Sequence, residues 1–338
     1  MNALAQNIVR DCIICSSPNH ESVFTYTYDF LTKVRWSDPE SIAKKGWSED
    51  TVSTIVRCTD CGCFYLRDVV HPIPDSEKRG NSPSDNRKID RNLQHFAHIY
   101  REQSRPRAYA KRARDTSVAV NLLQIASARL RHEIKVLDFG AGLGGTSSAF
   151  RGLGVHDVVA FDLAYRADRQ EIYDQFCYSG IHCSNSKSDA EKYAPFNLVV
   201  CQAVIEHVLD PLDELNWIFE QMSPGGLLYI SNPLMDLTKE LEALKSAEKI
   251  SAKDAISHYH PRHYNYMLPK HFENLLASVG FKILPAVFTY NPGPLYSGSA
   301  GFFFAQNCKS ITRFLLNLAG LSPRRQDYLV EKPLPADS

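Results

Sequence analysis

Residues 136–145 read VLDFGAGLGG, and VVAFDLA follows at 158–164. The first is an apolar strand ending in an acid, Asp138, then a glycine-rich turn running into a helix. The second is another apolar strand, also ending in an acid, Asp162. This layout serves a nucleoside lying across the carboxyl ends of neighbouring parallel strands. Gly140 and Gly142 let backbone approach the ligand without a Cβ in the way. A helix opening near Gly144 offers unpaired N–H groups to a carboxylate. Asp162 suits the two hydroxyls of a ribose, and Asp138 suits a ligand ammonium group. Ribose, carboxylate and ammonium together describe an amino-acid nucleoside, and S-adenosylmethionine is the common one. Gly140, Gly142 and Gly145 also satisfy G-x-G-x-x-G, with Asp162 near the place of a dinucleotide's ribose acid. Asp138 decides between the two, because a pyrophosphate gains nothing from an extra carboxylate.

The chain has 338 residues, 44% hydrophobic and 22% charged, with zero formal net charge. That allows one large domain plus a small one of ordinary globular composition. Zero net charge implies no global attraction to nucleic acid or to a membrane surface. No apolar run reaches the ~20 residues that span a bilayer, and MNALAQNIVRDC lacks a signal-peptide core. The expected compartment is the cytoplasm.

Nine cysteines in such a chain argue against a disulfide framework. Cys12–Cys15 and Cys58–Cys61 form two C-x-x-C knuckles, and Gly62 permits a tight reversal after the second. Four thiolates make a closed tetrahedral zinc site of structural type. Redox use is the weaker reading, since no thioredoxin-like βαβ pattern surrounds either pair. Cys63 is a spare thiol, or replaces Cys61 if the register slips. Residues 1–70 are expected to form a small zinc-ribbon domain.

HPIPDSEKRGNSPSDN at 71–86 reads as a linker. The next segment, through Asp115, holds nine Lys or Arg and three acids, with Leu93, Phe96, Ile99 and Tyr100 at helical spacing. Residues 71–117 are therefore expected to be linker plus a basic helical lid, broken at Pro106. Such a lid suits an acceptor that carries phosphate, although a solvated helix face explains the charges equally well. RNA binding is disfavoured, because no recognisable aromatic-and-basic module is present.

From 118 onward the chain alternates helices and strands. A helix at 118–130 precedes strand 134–138, helix 144–153, strand 157–162, helix 166–176 and a short strand near 181–183. NLVVCQAVIEHV, the helix DELNWIFEQM and the strand in PGGLLYISNP follow. A helix at 269–279 then leads to FKILPAVF and SAGFFFAQ, read as an antiparallel pair. The expected fold is α/β: a doubly wound, mostly parallel seven-stranded sheet with one antiparallel strand, spanning 118–308. Residues 309–338 are expected to be a C-terminal helix and a frayed tail.

LDFGAGLGG, Asp162, VIEHVLDPL, PGGLLYISNP and LLASVGF, in this order, resemble the class I S-adenosylmethionine-dependent methyltransferases across about residues 118–306. The resemblance implies that Gln202 and Ala203 line the cofactor and that Ser188 and Asp189 face its adenine edge. Two departures stand out. Asn197 occupies a position where members often have Asp. Ala203 replaces a Glu that ubiquinone-type O-methyltransferases use with the Glu-His pair (here Glu206–His207) to hold magnesium. A four-cysteine ribbon ahead of such a domain is similar to the sugar C-methyltransferases acting on nucleotide-linked keto sugars. Of their Tyr-x-Glu-His stretch only the histidine is kept, as His263 in His260-Pro261-Arg262-His263.

Methyl transfer from a sulfonium needs alignment, exclusion of water and removal of a proton, and histidine titrates in the right range for the last. His263 is the expected base, with His260 assisting and His207, after the fourth strand, as the other contender. His258, His260 and His263 holding a metal is a looser reading. The expected function is methyl transfer to a small polar acceptor, a nucleotide-linked sugar or another biosynthetic intermediate. A zinc-ribbon protein that binds or modifies RNA is the alternative. Oligomeric state leaves no mark in the sequence.

Overall fold

VSTIVRC alternates exposed and buried positions along its first half, as a strand with one solvated face must. It is β3 (Val52–Cys58) in a computed structural model that describes residues 6–28, 48–71, 106–130, 133–142, 144–163, 180–232, 237, 263–285 and 327–335. The chain divides into two compact units.

The first unit comprises Met1–Asn81, Ile205–Glu214 and Pro233–Leu275. β1 (Gln6–Val9) pairs antiparallel with β5 (Asp68–His71). β2 (His20–Thr27), β3, β4 (Phe64–Leu66) and β11 (Asn265–Tyr266) form an antiparallel sheet in the order β11-β4-β3-β2. This corrects the expected boundary at residue 70. The ribbon alone would leave one edge of β4 unpaired; Asn265 and Tyr266 cover it, opposite Tyr65 and Phe64.

The second unit comprises Ser82–Val204, Leu215–Asn232 and Leu276–Ser338. Its seven strands are β6 (Lys135–Phe139), β7 (Asp157–Phe161), β8 (Ile181–Ser184), β9 (Phe196–Gln202), β10 (Met222–Ser231), β12 (Lys282–Leu284) and β13 (Asp327–Glu331). They lie in the order β12-β13-β10-β9-β6-β7-β8. β8, β7, β6, β9 and β10 run parallel, and β13 is antiparallel to both its neighbours. The expected mostly parallel seven-stranded sheet with one reversed strand is thus present. Sheet order reverses direction between β6 and β9, and the ends of those strands form the crevice where open α/β sheets bind ligands.

α1 (Pro106–Arg129) lays Val118, Leu122 and Ala126 into a core with Val136, Phe150, Leu198, Val200, Tyr229 and Leu329. Pro106 is the first residue of this helix, a position that has no N–H bond to lose. The expected division at 117/118 therefore falls inside a single helix. Asn197 ties the starts of β6 and β9: Oδ1 accepts the Lys135 N–H at 2.8 Å, and Nδ2 donates to the Glu133 carbonyl at 2.7 Å. An amide does both jobs, which a carboxylate could not.

The C-terminal reading needs a larger correction. The reversed strand is DYLVE at 327–331, placed in the expected tail, while SAGFFFAQ lies outside the described residues. Tyr328, Leu329 and Val330 are all buried. Tyr229 Oη donates to Asp327 at 2.8 Å, and Lys332 Nζ donates to the carbonyls of Phe219 and Met222 at 2.8 Å each. The last strand is bonded along both edges and pinned at both ends. The expected basic-lid positions 93–100 and the helix at 166–176 also lie outside the described residues.

Candidate active site

The glycine turn is built by close approach. Gly140 has φ +74°, and a Cβ there would lie 2.2 Å from Val204 Cγ2. The N–H groups of Gly140 and Ala141 both donate to the Phe161 carbonyl, at 2.8 and 3.0 Å, which binds the turn to the end of β7. Gly142 has φ +57°, and a Cβ there would meet nothing within 4 Å. Its N–H donates to Asp162 Oδ2 at 2.8 Å, stationing that carboxylate beside the turn. Gly144, left-handed at φ 70°, is the N-cap of α2 (Gly145–Gly152).

Asp138 is buried, and its Oδ2 accepts from the Ser147 N–H at 3.0 Å and from the Ser147 hydroxyl at 2.6 Å. These bonds make it an anchor between β6 and α2, a part the sequence reading did not give it. Gln202, at the end of β9, donates to Thr146 Oγ1 at 2.9 Å. Ala203 has φ 54°, and its N–H donates to the Ser231 carbonyl at 2.8 Å. Asn232 follows Ser231, 1% exposed, with neither side-chain amide atom hydrogen-bonded among the described residues. A buried amide left unpaired is costly, so this end of β10 is suited to a bound polar group. An open glycine cradle, a carboxylate at the adjoining strand end and an orphaned buried amide fit S-adenosylmethionine.

Ser188 and Asp189 lie in the short helix α3 (Lys187–Ala190), and Ser188 is exposed. Asp189 bonds His182 Nε2 at 2.8 Å and Lys192 Nζ at 3.0 Å. The His182 bond, then the Lys192 bond, hold its carboxyl down at about 2.

In the first unit, one ligand atom from each of Cys12, Cys15, Cys58 and Cys61 lies within 4.8 Å of the others. The sulfurs of Cys12 and Cys61 are 3.5 Å apart, and those of Cys15 and Cys58 3.6 Å. Cys63 is buried beside this set, with its Sγ on the Phe64 carbonyl and within hydrogen-bonding reach of Cys12. The thiols resist ionising together: hydrogen bonding from Cys63 pulls Cys12 down, while burial pushes Cys61 up. A divalent cation removes that conflict, and the donor set fits zinc. His271, on α4 (Pro269–Val279), donates from Nε2 to the Cys61 carbonyl at 2.9 Å. Burial lowers its pKa, and the carbonyl partner places a proton on Nε2.

The same unit brings Glu206, His207 and His263 together, with one ligand atom of each within 4.8 Å of the others. The rings of His207 and His263 meet edge to face at 4.8 Å. Glu206 is 1% exposed, its Oε2 has no hydrogen-bond partner among the described residues, and burial pushes its carboxyl up to about 7. The backbone supports this arrangement: the Tyr264 N–H donates to the Glu206 carbonyl at 2.7 Å. Asn265 Nδ2 donates to the carbonyls of Ile205 and Val208 at 2.8 Å each. Arg10 completes the frame, donating to Asn265 Oδ1 at 2.6 Å and to the Tyr264 and Leu66 carbonyls at 3.3 Å. Burial lowers its guanidinium to about 10, which leaves it charged at neutral pH. Sequence reading missed Arg10 and Asn265, whose partners lie far away along the chain. It named Glu206 only through the resemblance, although a lone acid in the apolar run VIEHV was the available signal. His258 and His260 lie outside the described residues.

The methyltransferase domain family matches residues 109–286, more than half of the chain. A ubiquinone biosynthesis O-methyltransferase of Aromatoleum aromaticum is 28% identical over 120 residues, 34% of this chain and 51% of that protein. Its counterpart in Xylella fastidiosa is 32% identical over 121 residues, covering 34% and 48%. The chain thus spans about half the length of the curated relatives it matches. Among solved structures, the plantazolicin methyltransferase BpumL in complex with a triazolic desmethylPZN analog and SAH aligns with TM-score 0.44 and 14% identity, covering 74% of this chain and 92% of that one. The 1,6-didemethyltoxoflavin-N1-methyltransferase of Burkholderia thailandensis gives 0.41 and 16%, covering 81% and 97%. With the glycine turn, the strand-end carboxylate and the single reversed strand in place, the chain belongs to the methyltransferase domain family, within the class I S-adenosylmethionine-dependent group.

Proposed function

We propose that this chain transfers the methyl group of S-adenosylmethionine to a small polar acceptor, a nucleotide-linked sugar or a comparable biosynthetic intermediate. The observation that carries the reading is the turn at 140–142, where Asp162 holds the Gly142 N–H beneath space that a Cβ would enter unopposed. In this reading Asp162 grips the ribose hydroxyls, and the amides opening α2 receive the carboxylate. Asp138 keeps that helix start in place, Gln202 and Ala203 line the cofactor, and Ser188 and Asp189 border its adenine. When bound, the cofactor supplies a methyl group already activated by its sulfonium. What the chain adds is alignment, dryness and help in removing the acceptor's proton, assigned to His263 with His207 and His260. The four cysteines hold structural zinc that shapes the ribbon.

A radiolabelled methyl group from S-adenosylmethionine, offered with a panel of nucleotide-linked keto sugars, tests the reading. Label should reach a sugar carbon or oxygen and vanish with His263→Ala while cofactor binding persists. Label reaching only RNA, with binding that weakens steeply as salt rises, would replace it with the polynucleotide alternative.

A further inference from the structure

The residues assigned to the sulfonium compound stand at neighbouring strand ends of the second unit. Asp162 follows β7, the glycine turn and α2 follow β6, and Gln202 ends β9 with Ala203 after it. β10 is the next strand of the sheet beyond β9, and Asn232 follows its last residue, Ser231. None of the cofactor contacts falls to Asn232. The chain leaving β9 nevertheless ties this strand end to the cofactor turn. A Cβ on Gly140 would lie 2.2 Å from Val204 Cγ2, and the Ala203 N–H donates to the Ser231 carbonyl at 2.8 Å. Ala203 has φ 54°, a conformation that a residue other than glycine keeps only where its surroundings impose it. Ala203 and Val204 thus form a thin wall between the glycine turn and the end of β10.

Asn232 is buried, and among the described residues neither its Oδ1 nor its Nδ2 has a hydrogen-bond partner. A carboxamide in that state has given up its bonds to water without replacement. A ligand that brings both a donor and an acceptor offsets the cost. The adjoining strands decide the charge of that ligand. Among the described residues, β6 carries Asp138 one residue from its end, β9 ends in the neutral Gln202, and β13 begins with Asp327. Asp138 accepts from Ser147, and Asp327 accepts from Tyr229 Oη. An anion on Asn232 would face these carboxylates with no cation at the same strand ends to balance it. A neutral polar group meets no such penalty.

We propose that Asn232 selects the methyl acceptor by holding a neutral pair of oxygens on adjacent carbons. Nδ2 donates to a carbonyl, and Oδ1 accepts from the hydroxyl beside it. This deepens the methyl-transfer reading and rests on it: a keto sugar presents such a pair on its ring, while the phosphates of a nucleotide-linked sugar bind elsewhere. Selection follows from the two-sided chemistry of the amide. A carbonyl alone satisfies Nδ2 and leaves Oδ1 stranded. A site that bonds a hydroxyl rejects an analogue lacking it far more strongly than an apolar pocket rejects a missing methylene.

Dihydroxyacetone, a small neutral molecule with hydroxyls beside its carbonyl, is the probe. It is titrated into the isotope-labelled full chain saturated with S-adenosylhomocysteine, while NMR follows the side-chain amide of Asn232. The Nδ2 signals should shift saturably. Acetone, which lacks the hydroxyl, and pyruvate, which is anionic, should each bind more weakly by at least about tenfold. Asn232→Leu and Asn232→Ala should weaken dihydroxyacetone binding by more than about tenfold, read at the backbone N–H signals of Ala203 and Ser231. The urea midpoint of Asn232→Leu should equal or exceed that of the wild type, because a buried amide without a partner has been removed. An amide that served only the fold would lower it. A lower midpoint in Asn232→Leu, an Asn232 signal that dihydroxyacetone leaves unmoved, or pyruvate binding as well as dihydroxyacetone would overturn the role of Asn232. Calorimetry with S-adenosylhomocysteine on the same samples separates the two ideas. Absence of heat would strike the methyl-transfer reading, whereas normal heat with a silent Asn232 would strike the acceptor contact alone.

Discussion

Replacing Gly140 with alanine asks whether the turn is shaped by close approach or only by local flexibility. The new Cβ would sit 2.2 Å from Val204 Cγ2, in backbone with φ +74°. The left-handed conformation costs an alanine about 1–2 kcal/mol. Forcing a methyl into a filled space costs about 1–3 kcal/mol more. Gly140→Ala should therefore destabilise by about 2–5 kcal/mol, read as a lower urea midpoint at unchanged slope. Gly142→Ala is the matched control, with φ +57° and nothing within 4 Å of its Cβ. It should lose only the conformational part in stability. Its methyl would instead enter the space assigned to the cofactor and weaken S-adenosylhomocysteine binding by roughly tenfold to a hundredfold, the equivalent of about 1–3 kcal/mol of overlap. Val204→Ala placed on Gly140→Ala removes the atom in the way and should recover the overlap part. If Gly140→Ala melts like wild type, or Val204→Ala restores nothing, the close-approach argument is wrong.

Arg10→Met strands the Asn265 carbonyl oxygen it now serves, so thermal denaturation should show a loss of about 1–3 kcal/mol. Amide exchange should rise at 264–266, and an unchanged exchange pattern would contradict the role given to Arg10. Asp189 should titrate near 2 by carboxylate NMR, with His182→Ala returning it toward the ordinary aspartate range. Because its folded pKa is depressed, its contribution to stability is complete above the unfolded value and fades as pH falls through about 2. A normal Asp189 titration in the wild type would remove that support. Stripping zinc with a strong chelator, or Cys58→Ser, should unfold the four-stranded sheet of the first unit, seen as lost far-ultraviolet dichroism and regained on adding zinc. A chelated protein with unchanged dichroism would show the cysteine cluster to be unnecessary for folding.

Local patterns carried most of the second unit. Apolar runs ending in Asp138 and Asp162, with glycines after the first, signal strand, turn and helix within a few residues. The strands at 135–139, 157–161, 181–184 and 196–202 lie within a residue or two of where the pattern placed them. DYLVE escaped notice because three apolar residues flanked by acids resemble a tail, while the longer FFF run upstream drew the strand assignment. Its burial comes from β10 and β12, both distant along the chain. The start of α1 was hidden in a basic stretch with few apolar positions, where Pro106 takes the first helical position. In the site, the cysteine spacing named all four clustered thiols, and the histidine reading named both residues gathered beside Glu206, His207 and His263. Arg10 and Asn265 left no trace, since a buried arginine bonded to an asparagine 255 positions away has no local pattern.

Isothermal titration of the full chain with S-adenosylhomocysteine, beside a parallel titration with NAD, tests the assignment of the 140–145 crevice most directly. The account predicts one S-adenosylhomocysteine per chain, weakened by about 1–3 kcal/mol in Asp162→Ala with the fold retained, and no heat from NAD. A folded chain that ignores S-adenosylhomocysteine, or binds NAD through the same Asp162, would contradict it.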